Sequence, residues 1–291
     1  MHVFLAGATG AVGRLLLPLL VADGHRVTAL TRHESGAAAV RAAGATPVLG
    51  DVYDAAGLAR LLRAASPDVV MHQLTDLSRG DVAANARIRT AGTRNLVDAA
   101  LASGVRRVVA QSISWAYEAG PDPAAEDTPL DTAAPEPRGT SVAGTVALES
   151  AVRELPEWVV LRYGLLYGPG TWYTRDGLTG ERARAGELAA DADVGSFVHV
   201  ADAARVAALA LGWPAGTTAN VVDDEPAAAR EWVPVFCDAV GAPPPSPPLP
   251  SAEGAAEGRT GWARGADNAY ARKDLGWEPE YASWRTGFRT L

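Results

Sequence analysis

The chain has 291 residues, 48% apolar and 21% charged, with a formal net charge of −8, enough for one large α/β domain with a smaller appendage. The acidic balance argues against nucleic acid as a partner, and no run approaches the roughly 20 apolar residues of a membrane span. A lone cysteine, Cys237, excludes a disulfide framework, and five scattered histidines have no ligand-pair spacing, so no metal site is expected.

The chain opens on an apolar strand at residues 3–6, followed by Gly7-Ala8-Thr9-Gly10-Ala11-Val12-Gly13 and a helix beginning near Ala11. A second strand follows at 27–31. Strand, glycine turn, helix and strand in this order predict a dinucleotide site, because glycines let the backbone approach a pyrophosphate and a helix N-terminus offers it free N–H groups. Further strands are expected at 46–49, 69–72, 107–111 and 158–162. Helices are expected at 55–65 and across 81–103, the latter closed by Gly104. The alternation predicts a doubly wound parallel sheet of Rossmann type. From about Tyr167 the texture turns to glycine, proline and aromatics, which predicts a smaller C-terminal substrate-binding lobe. The expected division is 1–166 and 167–291, with the sheet domain reclaiming part of 195–225. The proline run at 243–250 reads as a stiff connector. Met1-His2-Val3 enters the first strand directly, so no signal peptide is expected and the location is expected to be cytoplasmic.

The second strand ends Leu30-Thr31-Arg32-His33, where an NAD-binding protein would carry an acid for the ribose 2′-hydroxyl. A guanidinium there suits a 2′-phosphate, so NADP(H) is expected ahead of NAD(H).

Several motifs occur together and in order: the glycine turn, Gly50-Asp51-Val52, Gly92-Thr93-Arg94-Asn95-Leu96, Leu161-Arg162-Tyr163-Gly164-Leu165, Phe197-Val198-His199-Val200-Ala201-Asp202 and the tail Leu275-Gly276-Trp277-Glu278-Pro279. With them the chain resembles the extended short-chain dehydrogenase/reductases, the NAD(P)-dependent epimerase/dehydratase-like proteins. The resemblance implies that Gly7, Thr9, Gly10, Ala11 and Val12 cradle the pyrophosphate. It places Asp51 and Val52 at the adenine, Gln73, Leu74 and Thr75 along the ribose, and Gly164 and Leu165 beside the nicotinamide. Asp51 could equally be the N-cap of helix 55–65.

The family's working groups are a Ser or Thr at the end of the fifth strand and Tyr-x-x-x-Lys on the next helix. Aligned on Tyr117 and Glu149, this chain has Ile113 at the serine position, Ser141 at the tyrosine position and Thr145 at the lysine position, and the usual asparagine before Gly92 is Arg89. Ser112, Ser141 and Tyr117 remain as candidate catalytic hydroxyls. Trp115, Tyr163, Trp172 and Tyr173 are candidate substrate or lid residues, Trp262 is a further aromatic of the second lobe, and 171–186 reads as a lid. Reduction without the triad is feasible if an aromatic substrate supplies its own phenol, as the resemblance to atypical, simocyclinone-type angucyclinone ketoreductases implies. The expected protein is thus an NADPH-dependent ketoreductase of a small aromatic polyketide-like metabolite, a monomer or homodimer. A non-catalytic NADP(H) sensor and a nucleotide-sugar epimerase or dehydratase are the alternatives.

Overall fold

The computed structural model describes residues 1–77, 80–245 and 260–291. Strand β1 (His2–Ala6) is buried along its whole length, as a strand covered on both faces must be. After it come α1 (Gly13–Ala22), β2 (Arg26–Thr31), α2 (Glu34–Ala42), β3 (Thr46–Leu49), α3 (Ala55–Ala65), β4 (Val69–His72), α4 (Val82–Arg87), α5 (Thr93–Ala102), β5 (Arg107–Ile113), α6 (Arg138–Val152) and β6 (Glu157–Tyr163). The later elements are β7 (Leu165–Tyr167), α7 (Leu178–Arg184), β8 (Val194–Gly195), β9 (Phe197–His199), α8 (Val200–Leu209), β10 (Thr217–Val221), β11 (Ala227–Ala228), α9 (Ala229–Val240), α10 (Ala269–Lys273) and α11 (Trp284–Gly287).

Seven strands form one sheet in the order β3-β2-β1-β4-β5-β6-β10. Val3 pairs in parallel with Val27 on one side and Val69 on the other, so the winding reverses between β1 and β4. Open α/β sheets bind ligands at the carboxyl ends of the strands flanking such a reversal.

By compactness the chain divides into two units. The first comprises Met1–Ser112, Thr132–Leu161 and Ala204–Thr218, and the second Ile113–Asp131, Arg162–Ala203 and Ala219–Leu291. Phe4, Leu58, Leu62, Val70, Leu96, Val108 and Leu148 belong to the core of the first. The second is built on aromatics: Tyr167, Phe197, Phe236, Trp284 and Phe288 share one cluster.

Three local expectations change. Helix α1 starts at Gly13 rather than near Ala11, because residues 7–12 are used in the turn. The stretch 81–103 is not a single α-helix: Ile88–Gly92 is a π turn between α4 and α5, in which the Thr93 N–H donates to the Ile88 carbonyl five residues back. The N-cap of α3 is Asp54, whose carboxylate accepts from the Gly57 N–H at 2.9 Å, and not Asp51. Of the proline run at 243–250, residues from 246 onward lie outside the described residues. Among the described residues no helix is long and apolar enough to cross a membrane.

Candidate functional site

The three glycines of the first turn are required for three different reasons. Gly7 has φ +102°, and a Cβ there would lie 2.3 Å from the Gln73 carbonyl oxygen, so only glycine fits. A Cβ on Gly13 would lie 2.0 Å from the Gly7 carbonyl oxygen, which ties the start of α1 to the turn. Gly10 differs: a Cβ there would meet only the Gly7 carbonyl, at 3.4 Å. Protein packing leaves that place open, and the open place lies before a helix whose cap residue, Val12, makes no side-chain capping bond. The N–H groups of Ala11, Val12 and Gly13 have no hydrogen-bond partner among the described residues. Exposed Thr9 and Gly10 with these donors form an anion cradle that fits a dinucleotide pyrophosphate.

Beyond the cradle, the loop after β3 is held from α5. The Asn95 amide donates to the Val52 carbonyl at 2.9 Å, and Gly92 leaves room for the buried Val52 side chain. Sequence reading recognised Gly92-Thr93-Arg94-Asn95 as a motif but missed this bracing role. Asp51 is exposed and accepts from the Tyr53 N–H at 2.9 Å. Arg32 is exposed at the end of β2 and has no hydrogen bond or ion pair among the described residues. Gln73 is buried and donates its N–H to the Ala6 carbonyl, Leu74 receives the Gln111 amide on its carbonyl, and Thr75 is exposed.

The hydroxyls expected to replace the triad are mostly engaged elsewhere. Ser112 is buried, and its hydroxyl donates to Glu149 Oε1 at 2.7 Å. Glu149 is fully buried and receives Arg153 Nη2 on its other oxygen at 2.9 Å. The Ser112 candidate is thus found with its proton donated to a buried carboxylate. Thr145 is back-bonded to the Ser141 carbonyl at 2.9 Å and accepts from Arg89 Nη1 at 3.3 Å. The Ser141 hydroxyl, half-buried, is without a partner among the described residues.

Around Arg89 the chemistry is that of a desolvated cation. Burial pulls its pKa down to about 10, still far above neutrality, with the Glu149 charge partly offsetting the cost. His72, fully buried, is pushed down to about 4 by burial and then by the Arg89 charge, so it is neutral. Its Nδ1 accepts from the Leu74 N–H, so Nε2 carries the proton and donates to Thr93 Oγ1 at 2.8 Å.

In the second unit Tyr117 is only 1% exposed; its hydroxyl donates to Asn220 Oδ1 at 2.5 Å and accepts from Arg162 Nη1 at 2.9 Å. Its hydroxyl is thus engaged on both sides within the protein. Tyr163 is likewise buried, donating to the Ala203 carbonyl at 3.3 Å. Tyr173 is half-buried and packs against the aromatic core, meeting Phe197, Trp232 and Phe236 edge-on at 5.5–5.8 Å between ring centroids. Trp115 and Trp172 are half-buried. Gly164 donates its N–H to the Val221 carbonyl and lies too close to the Ser196 carbonyl for a side chain, and half-buried Leu165 opens β7. The carboxylate of Asp202 receives the N–H groups of Glu280 and Tyr281, each at 2.9 Å, which is how the tail is fastened.

Comparison with known proteins supplies the family. The NAD dependent epimerase/dehydratase family matches residues 3–222. The chain belongs to this family. A 3-diazoavenalumate denitrifying reductase of a Streptomyces species is 44% identical over 99% of both chains. A UDP-glucose 4-epimerase of Mycolicibacterium smegmatis is 30% identical over 97% of this chain and 95% of that one. Among solved structures, the UDP-glucose 4-epimerase of Thermus thermophilus in complex with NAD superposes with a TM-score of 0.74 at 24% identity, covering 99% of this chain and 97% of that one. As an epimerase/dehydratase-family protein the chain keeps the glycine turn after β1 and carries Ser141 and Thr145 where the family resemblance places tyrosine and lysine.

Proposed function

We propose that this protein is a nicotinamide-dependent reductase of a small aromatic compound carrying a diazo group, which it removes as N2. The observation that carries the reading is that no group of tyrosine–lysine acidity stands at the family's catalytic positions: Ser141 and Thr145 replace the tyrosine and lysine, Thr145 is bonded to its own helix, and the other candidate hydroxyls, Ser112 and Tyr117, are hydrogen-bonded to Glu149 and Asn220. A ketone reduction ends on an alkoxide that must be protonated, whereas replacing a diazonium group by hydride does not. The arene–nitrogen bond breaks, an arene–hydrogen bond forms with the electron pair of the hydride, nitrogen departs neutral, and no proton enters. The full-length relative at 44% identity is named for a reduction of this type. When bound, the dihydronicotinamide supplies the hydride. The work of the chain is to hold it at Gly7, Thr9, Gly10, Ala11 and Val12, with Asp51, Val52, Gln73, Leu74 and Thr75 of the same unit at further positions that the family resemblance assigns. Positioning of two reactants supplies much of a barrier reduction by itself.

Ketone reduction is the second reading, favoured by the open hydroxyl of Ser141 at the position of the family tyrosine. The test is the purified protein with NADPH and either a hydroxyarenediazonium salt labelled with ¹⁵N or the matching hydroxyaryl ketone. Labelled N2 released in step with NADPH oxidation is expected. Turnover of the ketone alone would establish the second reading, and turnover of neither would leave a binding protein.

A further inference from the structure

Arg89 is 6% exposed and sits on the π turn, a helix irregularity that aims side chains a regular helix would place elsewhere. Its one hydrogen bond among the described residues, Nη1 to Thr145 Oγ1 at 3.3 Å, uses one of five donors, and it is in no ion pair there. The neighbouring charges do not satisfy it. Glu149 is bonded to Ser112 and Arg153, and His72 is neutral. The other guanidinium nitrogens have no protein partner, yet none is among the fully enclosed unsatisfied atoms of the described residues, so the group stays reachable by a ligand, and an anion there would offset its desolvation. One turn before Thr145 on α6 stands the half-buried Ser141, whose hydroxyl is also open.

We propose that Arg89 and Ser141 form an anion-holding subsite that takes a phenolate oxygen of the aromatic substrate, with Thr145 as the residue that positions the guanidinium. The proposal rests on the reading of the protein as a reductase of an aromatic diazo compound and adds a ring oxygen conjugated with the diazo group. A free phenolate feeds electrons into the ring and makes the diazo group a poor hydride acceptor. Pairing with a fixed cation withdraws that density and restores the diazonium character. The lysine of the family is replaced by Thr145, so the cation of the site reaches it from the neighbouring helix.

The test is binding of 4-nitrophenol, whose phenolate is coloured, to the protein saturated with oxidised cofactor. The wild type is expected to bind the anion and lower the apparent pKa of the bound phenol. Arg89→Met is expected to bind about 10- to 100-fold more weakly, the range of a charged hydrogen bond, and without that shift. Its thermal midpoint should be unchanged or raised, because an unpaired buried charge is removed; a merely structural arginine would show a fall. Arg89→Lys keeps the charge and should retain the pKa shift at about tenfold lower affinity, which preserves the comparison if the methionine variant does not fold. Equal ionisation of the phenol on wild type and variants would overturn the proposal, as would tighter binding of 4-nitrobenzoate, which would assign the site to a carboxylate. Release of N2 with no phenolate binding would refute the subsite and leave the proposed function standing. Phenolate binding with no N2 release would do the reverse.

Discussion

At the scale of single residues, Arg32 carries a prediction about cofactor choice. It stands exposed and unpaired among the described residues at the end of β2, and its nearest acid in sequence, Glu34, is the first residue of α2 and lies 3.5 Å from Arg41 instead. A 2′-phosphate would find a guanidinium that no carboxylate competes for. NADPH is expected to bind more tightly than NADH, and Arg32→Ala to remove most of that preference, about 1.5–3 kcal/mol for a charge-assisted hydrogen bond. Calorimetric titration of both cofactors against both proteins measures it, and equal affinities in the wild type would defeat the assignment. Ser112 teaches the opposite lesson. Its place at the end of a strand made it look catalytic, but a hydroxyl takes whichever strong acceptor is nearest, and Glu149 comes from a helix 37 residues away in sequence.

At the scale of elements, the turn between β1 and α1 separates packing from ligand binding within one short segment. Gly13→Ala forces a Cβ against the Gly7 carbonyl, so the turn or the helix must move. Gly10→Ala adds a methyl where the protein itself is open. We expect Gly13→Ala to lower the thermal midpoint and impair cofactor binding together. Gly10→Ala should leave the midpoint nearly unchanged and weaken dinucleotide binding by about tenfold or more, as the methyl enters the space the pyrophosphate needs. Paired melting and cofactor titrations read the two effects apart; a Gly10→Ala protein with full cofactor affinity would remove the turn from the site. The π turn at Ile88–Gly92 is the other consequential element, because the residue it redirects is Arg89.

At the scale of the whole molecule, two buried titratable groups make opposing contributions to the pH dependence of stability. His72 has its pKa lowered from 6.5 to about 4, so below 6.5 the unfolded chain takes a proton the native one refuses, and stability is lost as pH falls through that window. Asp223 is raised from 3.8 to about 8, chiefly by burial, against the pull of the Glu225 and Trp284 N–H groups. Its native form therefore holds a proton that the unfolded chain has already released. That contribution is complete below 3.8 and is lost as pH rises towards 8. From about 4 to 6.5 the two effects oppose and nearly cancel, so thermal melts should show a level midpoint there and a fall between 6.5 and 8; Asp223→Asn should remove the alkaline fall and uncover the acid-side fall set by His72. An alkaline slope unchanged in that variant would show that another group controls it.

Much of the fold was legible in the sequence because local periodicity and turn chemistry carry it. The strands at Thr46–Leu49 and Val69–His72 and the helix Ala55–Ala65 were read with the bounds they have. These features depend on neighbours a few residues apart. The loss of the tyrosine and lysine was equally plain, because a missing residue needs no structure to be noticed. Tertiary structure alone decided which remaining hydroxyls are open. Ser112 and Tyr117 are engaged by Glu149 and Asn220, and Tyr173 is packed among Phe197, Trp232 and Phe236, all partners distant in sequence. It also decided that Arg89, which sequence reading recorded only as a substitution, is buried with most of its donors unspent. Hydrogen-bond satisfaction and burial are properties of what surrounds a group in space, and no local pattern encodes them.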